Sequence, residues 1–109
     1  LINSLSNCSN LKELSLDYNS FRGVLSGSIA NLSTKLNSLW LSHNYISGNI
    51  PLGIGNLINL HLVSLYDMML TGSIPDSIGK LSNLQRVYMQ RNAISGKIPA
   101  SIGNITQLG

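Results

Sequence analysis

The sequence predicts an α/β solenoid, a stack of similar coils that share a parallel β-sheet. Its three prolines, Pro51, Pro75 and Pro99, are separated by two intervals of 24 residues, and self-similarity at such a period is typical of repeat folds. Seven positions of the repeat are set apart for apolar residues, and in all four segments every one of these positions holds an apolar residue. A stacked fold follows, because neighbouring coils together bury an apolar face that no single coil can bury alone.

The predicted array is one domain over residues 1–109, without terminal caps. It comprises a partial repeat at 1–10, repeats at 11–35, 36–59, 60–83 and 84–107, and the start of a further repeat at 108–109. Each repeat opens with an L-x-x-L-x-L motif, whose period of two directs the leucines to one face of a short strand. Strands one repeat apart are therefore expected to pair in parallel.

A polar residue recurs within this apolar frame, shortly after each predicted strand. It is Asn19, Asn44 and Asn92 in three repeats, whereas the third repeat has Met68 at this position. Buried polar groups require hydrogen-bond partners, and an amide can both donate and accept. The three asparagines are thus predicted to form a structural ladder that bonds the turns of adjacent coils, with one rung missing at Met68.

Composition excludes several classes of protein. Only 10% of the residues are charged and the net charge is +3, and the basic residues do not cluster as they do in a nucleic-acid-binding protein. The apolar segments are interrupted before they reach the about 20 residues of a membrane span, so no membrane contact by this segment is expected. His43 and His61 are the only histidines and Cys8 is remote from both, so no metal or cofactor is predicted.

The repeats resemble the plant-type extracellular leucine-rich repeat, which carries an N-x-L-x-G-x-I-P segment. That segment is present here as Asn44-Tyr-Ile-Ser-Gly-Asn-Ile-Pro51 and as Asn92-Ala-Ile-Ser-Gly-Lys-Ile-Pro99. The runs at 5–11 and 29–36 are similar, more narrowly, to plant receptor kinases that perceive bacterial proteins in innate immunity. The resemblance implies a right-handed superhelix with the parallel sheet on its concave face and short 3-10 or irregular segments on its convex face.

The variable positions of each strand motif are expected to face outward from this concave sheet. Five of the six aromatic residues occupy them, and only Phe21 takes a core position. Trp, Tyr and Arg are enriched at binding hot spots, although aromatic residues also suit exposed strand faces in general. The predicted ligand-binding residues are Tyr18, Trp40, His43, Tyr45, Tyr66, Asp67, Arg86, Tyr88 and Arg91.

Three of these residues, His43, Asp67 and Arg91, also suggest other interactions. Asp67 and Arg91 share a position in adjacent repeats, which predicts a surface ion pair worth about 0–1 kcal/mol. His43 and Asp67 with a nearby serine have the composition of a catalytic triad, but a triad requires a sheltered oxyanion site. An open sheet face offers none, so no catalytic residue is predicted.

Three N-x-S/T sequons place Asn7, Asn31 and Asn104 at the same position of their repeats. This position belongs to the convex side, away from the aromatic residues, where a bulky glycan would obstruct nothing. Glycosylation at the three asparagines is therefore predicted if the chain is secreted. Cys8 is interpreted as a small buried apolar residue; the alternative is a free thiol or a cysteine that pairs outside this chain.

The resemblance implies a module for peptide or protein recognition, from the ligand-sensing ectodomain of a plant receptor-like kinase in defence signalling. Its partners would be a peptide or protein ligand, a co-receptor, and further repeats at both ends; its location would be the extracellular side of the plasma membrane or the apoplast. Two alternatives stay open. One is a secreted inhibitor of a cell-wall-degrading enzyme, similar to polygalacturonase inhibitors, and the other is a truncated product without function.

Overall fold

The computed structural model describes residues 10–25, 29, 31–96 and 98–104. Within them, short strands alternate with 3-10 helices at the predicted interval. The strands are β1 (Glu13–Ser15), β2 (Arg22–Val24), β3 (Ser38–Trp40), β4 (Tyr45–Asn49), β5 (Leu62–Ser64), β6 (Met69–Gly72), β7 (Arg86–Tyr88) and β8 (Ala93–Ile94). The 3-10 helices are Leu52–Asn56, Asp76–Lys80 and Ala100–Asn104. The predicted solenoid is confirmed.

The strands form two parallel sheets. The first sheet has the order β1-β3-β5-β7 and contains the L-x-L strands of the sequence motif, while the second has the order β2-β4-β6-β8. In the first sheet Leu14, Leu39 and Val63 occupy equivalent places on successive strands. The second sheet adds to the predicted architecture, which assigned one strand to each repeat.

The apolar positions of the repeat fill the space between the sheets and the 3-10 helices. Leu39, Leu65 and Leu70 are completely buried there. Two predicted core residues depart from the pattern: Phe21 is 37% exposed and Ile98 is 68% exposed. The prediction that these two residues are buried is wrong. Both belong to outer repeats, where the described part of the chain supplies a neighbouring coil on one side only.

The 3-10 helices stack through a joint between a glycine and a serine. Ser77 lies against Gly55 of the preceding helix, and its hydroxyl donates a hydrogen bond to the carbonyl oxygen of Leu52 at 2.6 Å. One repeat later, Ser101 bonds the carbonyl oxygen of Asp76 at 2.7 Å in the same way. In the described part of the chain, no helix has the length and apolar character needed to cross a membrane.

Candidate functional site

Each strand of the first sheet ends in a tight turn that projects one variable side chain. The turn residue has a left-handed backbone conformation, with φ between 54° and 59°, although none of the four is a glycine. These residues are Tyr18, His43, Asp67 and Arg91. Because residues other than glycine adopt this conformation at a cost, the surrounding structure must hold it in place.

The buried amide of Asn44 holds one of these turns. Its Nδ2 group donates to the carbonyl oxygens of Leu41, Ser42 and Leu16 at 2.8, 3.3 and 2.9 Å. Its Oδ1 atom accepts the backbone N–H of Phe21 at 3.2 Å. A single side chain thus closes its own turn and joins it to the preceding coil.

The other repeats vary this arrangement. Asn92 repeats it, since it donates to the carbonyl of Leu65 at 2.8 Å and accepts the N–H of Leu70 at 3.0 Å. Asn19 is exposed and bonds carbonyl oxygens of its own turn only. Met68, the departure from the motif, is 6% exposed and belongs to the apolar core. The third turn therefore has no amide of its own: Met68 packs in the core, and the Asn92 amide of the next repeat bonds Leu65 and Leu70 on either side of the turn.

Rings from successive repeats meet along the ends of the first-sheet strands. The His43 ring stacks on Tyr18 with centroids 4.2 Å apart, and Tyr66 meets it edge-on at 4.8 Å. Tyr66 in turn contacts Tyr88 at 6.3 Å. We call Tyr18, His43, Tyr66 and Tyr88 the ring row; its two edge-on contacts, at 4.8 and 6.3 Å, fall in the 4.5–7 Å range of favourable aromatic pairs, and the stacked Tyr18–His43 pair is closer.

An ion pair accompanies the ring row, but it is not the predicted one. Nδ1 of His43 lies 2.6 Å from the Asp67 carboxylate. The prediction of an Asp67–Arg91 pair is wrong, because Asp67 turns toward the preceding repeat, where the His43 imidazole is held between tyrosines. A hydrogen bond of 3.3 Å joins the hydroxyls of Tyr18 and Tyr66. That bond, with burial and the nearby Asp17 and Asp67 carboxylates, raises the pKa of Tyr66 and keeps its hydroxyl protonated.

A polar network lies beneath these rings. The Asp17 carboxylate accepts the backbone N–H of Ser42 at 2.6 Å. The Ser42 hydroxyl accepts the backbone N–H of Tyr66 at 3.0 Å and shares a 2.6 Å hydrogen bond with the Ser64 hydroxyl. Ser42 and Ser64 are both completely buried, and their side-chain bonds add to the backbone ladder, which continues here from the Tyr18 N–H to the Ser42 carbonyl and from the His43 N–H to the Tyr66 carbonyl.

Burial raises the pKa of Asp17, while the hydrogen bond from the Ser42 N–H and the nearby His43 imidazole act in the opposite direction. A carboxyl group with a raised pKa favours folding most below its ordinary value of 3.8, and this contribution is lost as pH increases through the raised pKa. Asp17→Asn retains an oxygen acceptor for Ser42 and removes the titration. We expect urea unfolding to show a larger gain in stability for Asp17→Asn at pH 7 than at pH 4.

The control for this prediction is Glu13→Gln, which removes a carboxylate from an exposed position on β1. Because the two variants change the net charge equally, their difference isolates the environment of Asp17. An equal response to pH in both variants would contradict a special role for Asp17.

The first-sheet face has an open depression of about 360 Å³ beside the ring row. It spans β3, β5 and β7, and its lining is mostly aromatic or able to donate hydrogen bonds. The lining residues are Trp40, Leu62, Ser64, Tyr66, Arg86, Tyr88 and Gln90. None of them is acidic, and among the described residues none forms an ion pair with Arg86.

The structure brings together four of the predicted ligand-binding residues in this depression, namely Trp40, Tyr66, Arg86 and Tyr88. Tyr18, His43 and Asp67 adjoin it through the ring row. Arg91 is exposed at its turn, outside the lining.

Tyr45 does not lie on the first-sheet face as predicted. It begins β4 in the second sheet, where the Arg22 guanidinium lies 4.7 Å from its ring. The left-handed residue His43 has already turned the chain by that point, so the position of Tyr45 faces away from the first-sheet surface.

Sequence reasoning omitted three lining residues, Leu62, Ser64 and Gln90, from the predicted binding set. All three occupy outward positions of the strand motif, so the repeat register contained the necessary signal. They were not predicted because only aromatic and charged residues at these positions were taken as ligand-binding residues. Ser64 is the instructive case, because its small size creates the space between larger neighbours.

The predicted glycosylation sites are only partly described. Asn31 is exposed and lies outside both sheets. Asn104 ends the last 3-10 helix, but its side chain, like Asn7 and Cys8, lies outside the described residues.

The surroundings of His43 bear on the catalytic-triad composition noted in the sequence. Among the described residues, no hydroxyl group bonds the His43 imidazole, and no three His, Cys, Asp or Glu side chains gather as metal ligands would. A stacked parallel sheet with variable side chains on one open face defines a solenoid recognition module.

The chain belongs to the leucine-rich repeat family. The family model, described as Leucine Rich Repeat, matches residues 10–32, 35–57 and 83–105. It does not match the third repeat, in which Met68 replaces the motif asparagine. The predicted fold class is confirmed at this level too.

Plant receptor kinases are among the similar proteins. The LRR receptor-like serine/threonine-protein kinase EFR of Arabidopsis thaliana is 52% identical over 64 residues, 59% of this chain and 6% of EFR. Receptor kinase-like protein Xa21 of Oryza sativa subsp. japonica is 52% identical over 59 residues, 54% of this chain and 6% of Xa21. The chain thus matches a small part of the length of these relatives.

A solved structure extends the similarity to almost the whole chain. It is the ectodomain of the Arabidopsis receptor kinase HAESA in complex with an IDA peptide hormone ligand. Its TM-score is 0.89 at 37% identity, and the alignment covers 97% of this chain and 18% of that one.

Proposed function

We propose that the first-sheet face recognises a peptide or protein ligand, within the ligand-sensing ectodomain of a plant receptor-like kinase in defence signalling. The observation that carries this proposal is the depression in which Trp40, Tyr66 and Tyr88 surround an open space beside Arg86. These residue types supply large contact areas at binding hot spots. Hydrogen-bonded parallel strands position them, so little conformational entropy is lost when a ligand binds.

The similar proteins support the same proposal. EFR and Xa21 are receptor kinases by name, and the HAESA ectodomain was solved with a peptide ligand. In this proposal a co-receptor is a second partner, and the chain acts on the extracellular side of the plasma membrane or in the apoplast. Kinase activity would reside in another part of the natural polypeptide.

The size of the surface limits what these residues contribute. Four strands about 4.8 Å apart form a face well below the about 800 Å² that each partner buries in a standard interface. The depression is therefore proposed to be one contact area within a longer binding surface. The exposed Asn31, outside the sheets, is proposed to carry a glycan that leaves this surface free.

Simultaneous replacement of Trp40, Tyr66 and Tyr88 by alanine tests the proposal. In leaf cells that express the natural polypeptide, we expect a calcium response to bacterial protein fractions to require at least tenfold more material in the triple variant. The reason is that truncating a hot-spot side chain typically costs about 2 kcal/mol or more. The measurement is the dose that produces a half-maximal response.

The matched control replaces Leu52 and Ile58 by alanine. Both are large, exposed apolar residues outside the first sheet, so the control removes apolar surface without altering the depression. An unchanged dose response in the triple variant would refute recognition through this face. If no bacterial fraction elicits a calcium response from the unmodified polypeptide, the defence role is refuted.

A further inference from the structure

Trp40, Ser64 and Tyr88 occupy equivalent places on three adjacent first-sheet strands. The pairing register aligns Trp40 with Ser64, and Ser64 with Tyr88. Ser64 is completely buried, and its hydroxyl bonds Ser42 at 2.6 Å. A small, buried residue whose polar group is already engaged therefore lies between two large side chains, and we call the part of the depression above it, between Trp40 and Tyr88, the slot.

The spacing of the strands determines what this slot can hold. Adjacent strands are about 4.8 Å apart, so the strands of Trp40 and Tyr88 are separated by about 9.6 Å. The depression that these residues line has a volume of about 360 Å³, and an engineered cavity of about 150 Å³ is enough to hold benzene. The part of the depression between Trp40 and Tyr88 can therefore hold one aromatic side chain.

The positive charge of Arg86 beside the slot favours a ligand with a negatively charged group. Arg86 is exposed at the edge of the slot. Two acids on the same side of the molecule are engaged elsewhere: Asp17 accepts the Ser42 N–H at 2.6 Å, and Asp67 pairs with His43. Gln90, in the same lining, adds a further donor. A group that carries a carboxylate therefore matches this edge.

Arg86 and Tyr88 are two residues apart on β7, so their side chains emerge on the same face about 6.6–6.8 Å apart along the strand. An extended peptide presents its side chains at positions i and i+2 with the same separation. One extended peptide can therefore fill the slot and contact Arg86 at once.

We propose that the slot between Trp40 and Tyr88 binds an aromatic side chain of an extended peptide, and that Arg86 binds an Asp or Glu two residues away. This inference rests on the proposed function, since it names the chemistry of the ligand for the same surface. Arg86 is the residue that determines specificity, because it discriminates acidic from basic peptides.

Trp40 is the only tryptophan in the chain, so its fluorescence reports directly on the slot. The probes are the blocked peptides acetyl-Ala-Asp-Ala-Phe-Ala-amide and acetyl-Ala-Phe-Ala-Asp-Ala-amide. Their counterparts carry Lys in place of Asp, or Ala in place of Phe. We expect saturable Trp40 quenching by at least one Asp–Phe order, with at least tenfold weaker binding of its Lys and Ala counterparts.

Arg86→Ala should weaken the acidic peptide about tenfold, as expected for one hydrogen bond to a charged group, and should abolish its preference over the Lys peptide. Lys80→Ala removes an exposed cation from the end of a 3-10 helix and should change neither. Circular dichroism of both variants verifies that each retains the fold.

Equal binding of the Asp and Lys peptides, or equal effects of the two variants, would overturn the role of Arg86 while leaving peptide recognition intact. Equal binding of the Phe and Ala peptides would overturn the slot. Absence of binding by every probe would also overturn this subsite. The calcium responses of the aromatic triple variant decide the proposed function independently.

Discussion

Asn44→Ala is expected to lower the free energy of unfolding by about 3–4 kcal/mol. The Asn44 amide forms four hydrogen bonds, three as donor and one as acceptor, and the residue is only 4% exposed. Each net hydrogen bond contributes about 1 kcal/mol, and buried partners left unpaired add to the loss. Urea unfolding followed by Trp40 fluorescence measures the change.

Asn19→Ala is the matched control for the same position of the motif. Asn19 is exposed, and its hydrogen bonds are to carbonyl oxygens of its own turn, which water can satisfy after substitution. Its loss should therefore cost no more than about 1 kcal/mol. A comparable cost for both variants would show that the link between coils made by Asn44 contributes little.

Gly55→Ala is expected to destabilise the fold by about 2–3 kcal/mol, because it separates two stacked 3-10 helices. A methyl group at Gly55 would lie 2.6 Å from the backbone oxygen of Ser77 and 2.8 Å from its Cβ atom. Neither atom is the end of a flexible side chain, so the helices must move apart, and overpacking of this kind costs about 1–3 kcal/mol or more. Thermal unfolding by circular dichroism measures the loss.

Gly103→Ala provides the comparison, since Gly103 has the same repeat position in the last 3-10 helix. No heavy atom of the described part lies within 4 Å of a methyl group built there. The substitution should leave stability unchanged or raise it by up to about 1 kcal/mol, because alanine restricts the unfolded chain. Similar losses at Gly55 and Gly103 would indicate a backbone effect rather than contact between coils.

The period of the prolines and the L-x-L motif was sufficient to predict the first sheet and the core, with the exceptions of Phe21 and Ile98. Local periodicity within a repeat decides which side of a strand is buried, and the 24-residue interval between repeats decides which strands pair. The second sheet was not predicted, because three of its four strands contain the repeated glycine (Gly23, Gly48 and Gly72) and its strands lack a clear apolar alternation. Gly48, with a φ of 84°, illustrates how a backbone conformation rather than a hydrophobic pattern shapes that strand.

The candidate site was predicted in part. The register of the repeat placed Trp40, Tyr66 and Tyr88 on one surface, and the structure joins them around one depression. Tyr45 was misplaced because the change of direction at His43 depends on a left-handed φ of 58°, which non-glycine residues rarely adopt. Ser64 was not predicted because the selection considered aromatic and charged residues, whereas Ser64 contributes to the depression through its small size.

The sequence by itself determined the repeat, its parallel stacking and the residues available on each face, because a repeated motif must place like residues in like environments. The tertiary structure alone decided which of these residues interact. Asp67 pairs with His43 rather than with Arg91 because tyrosines hold the imidazole on that side. Arg86 forms no ion pair among the described residues, because contacts between coils occupy the nearby acids: Asp17 accepts the Ser42 N–H, and Asp67 pairs with His43.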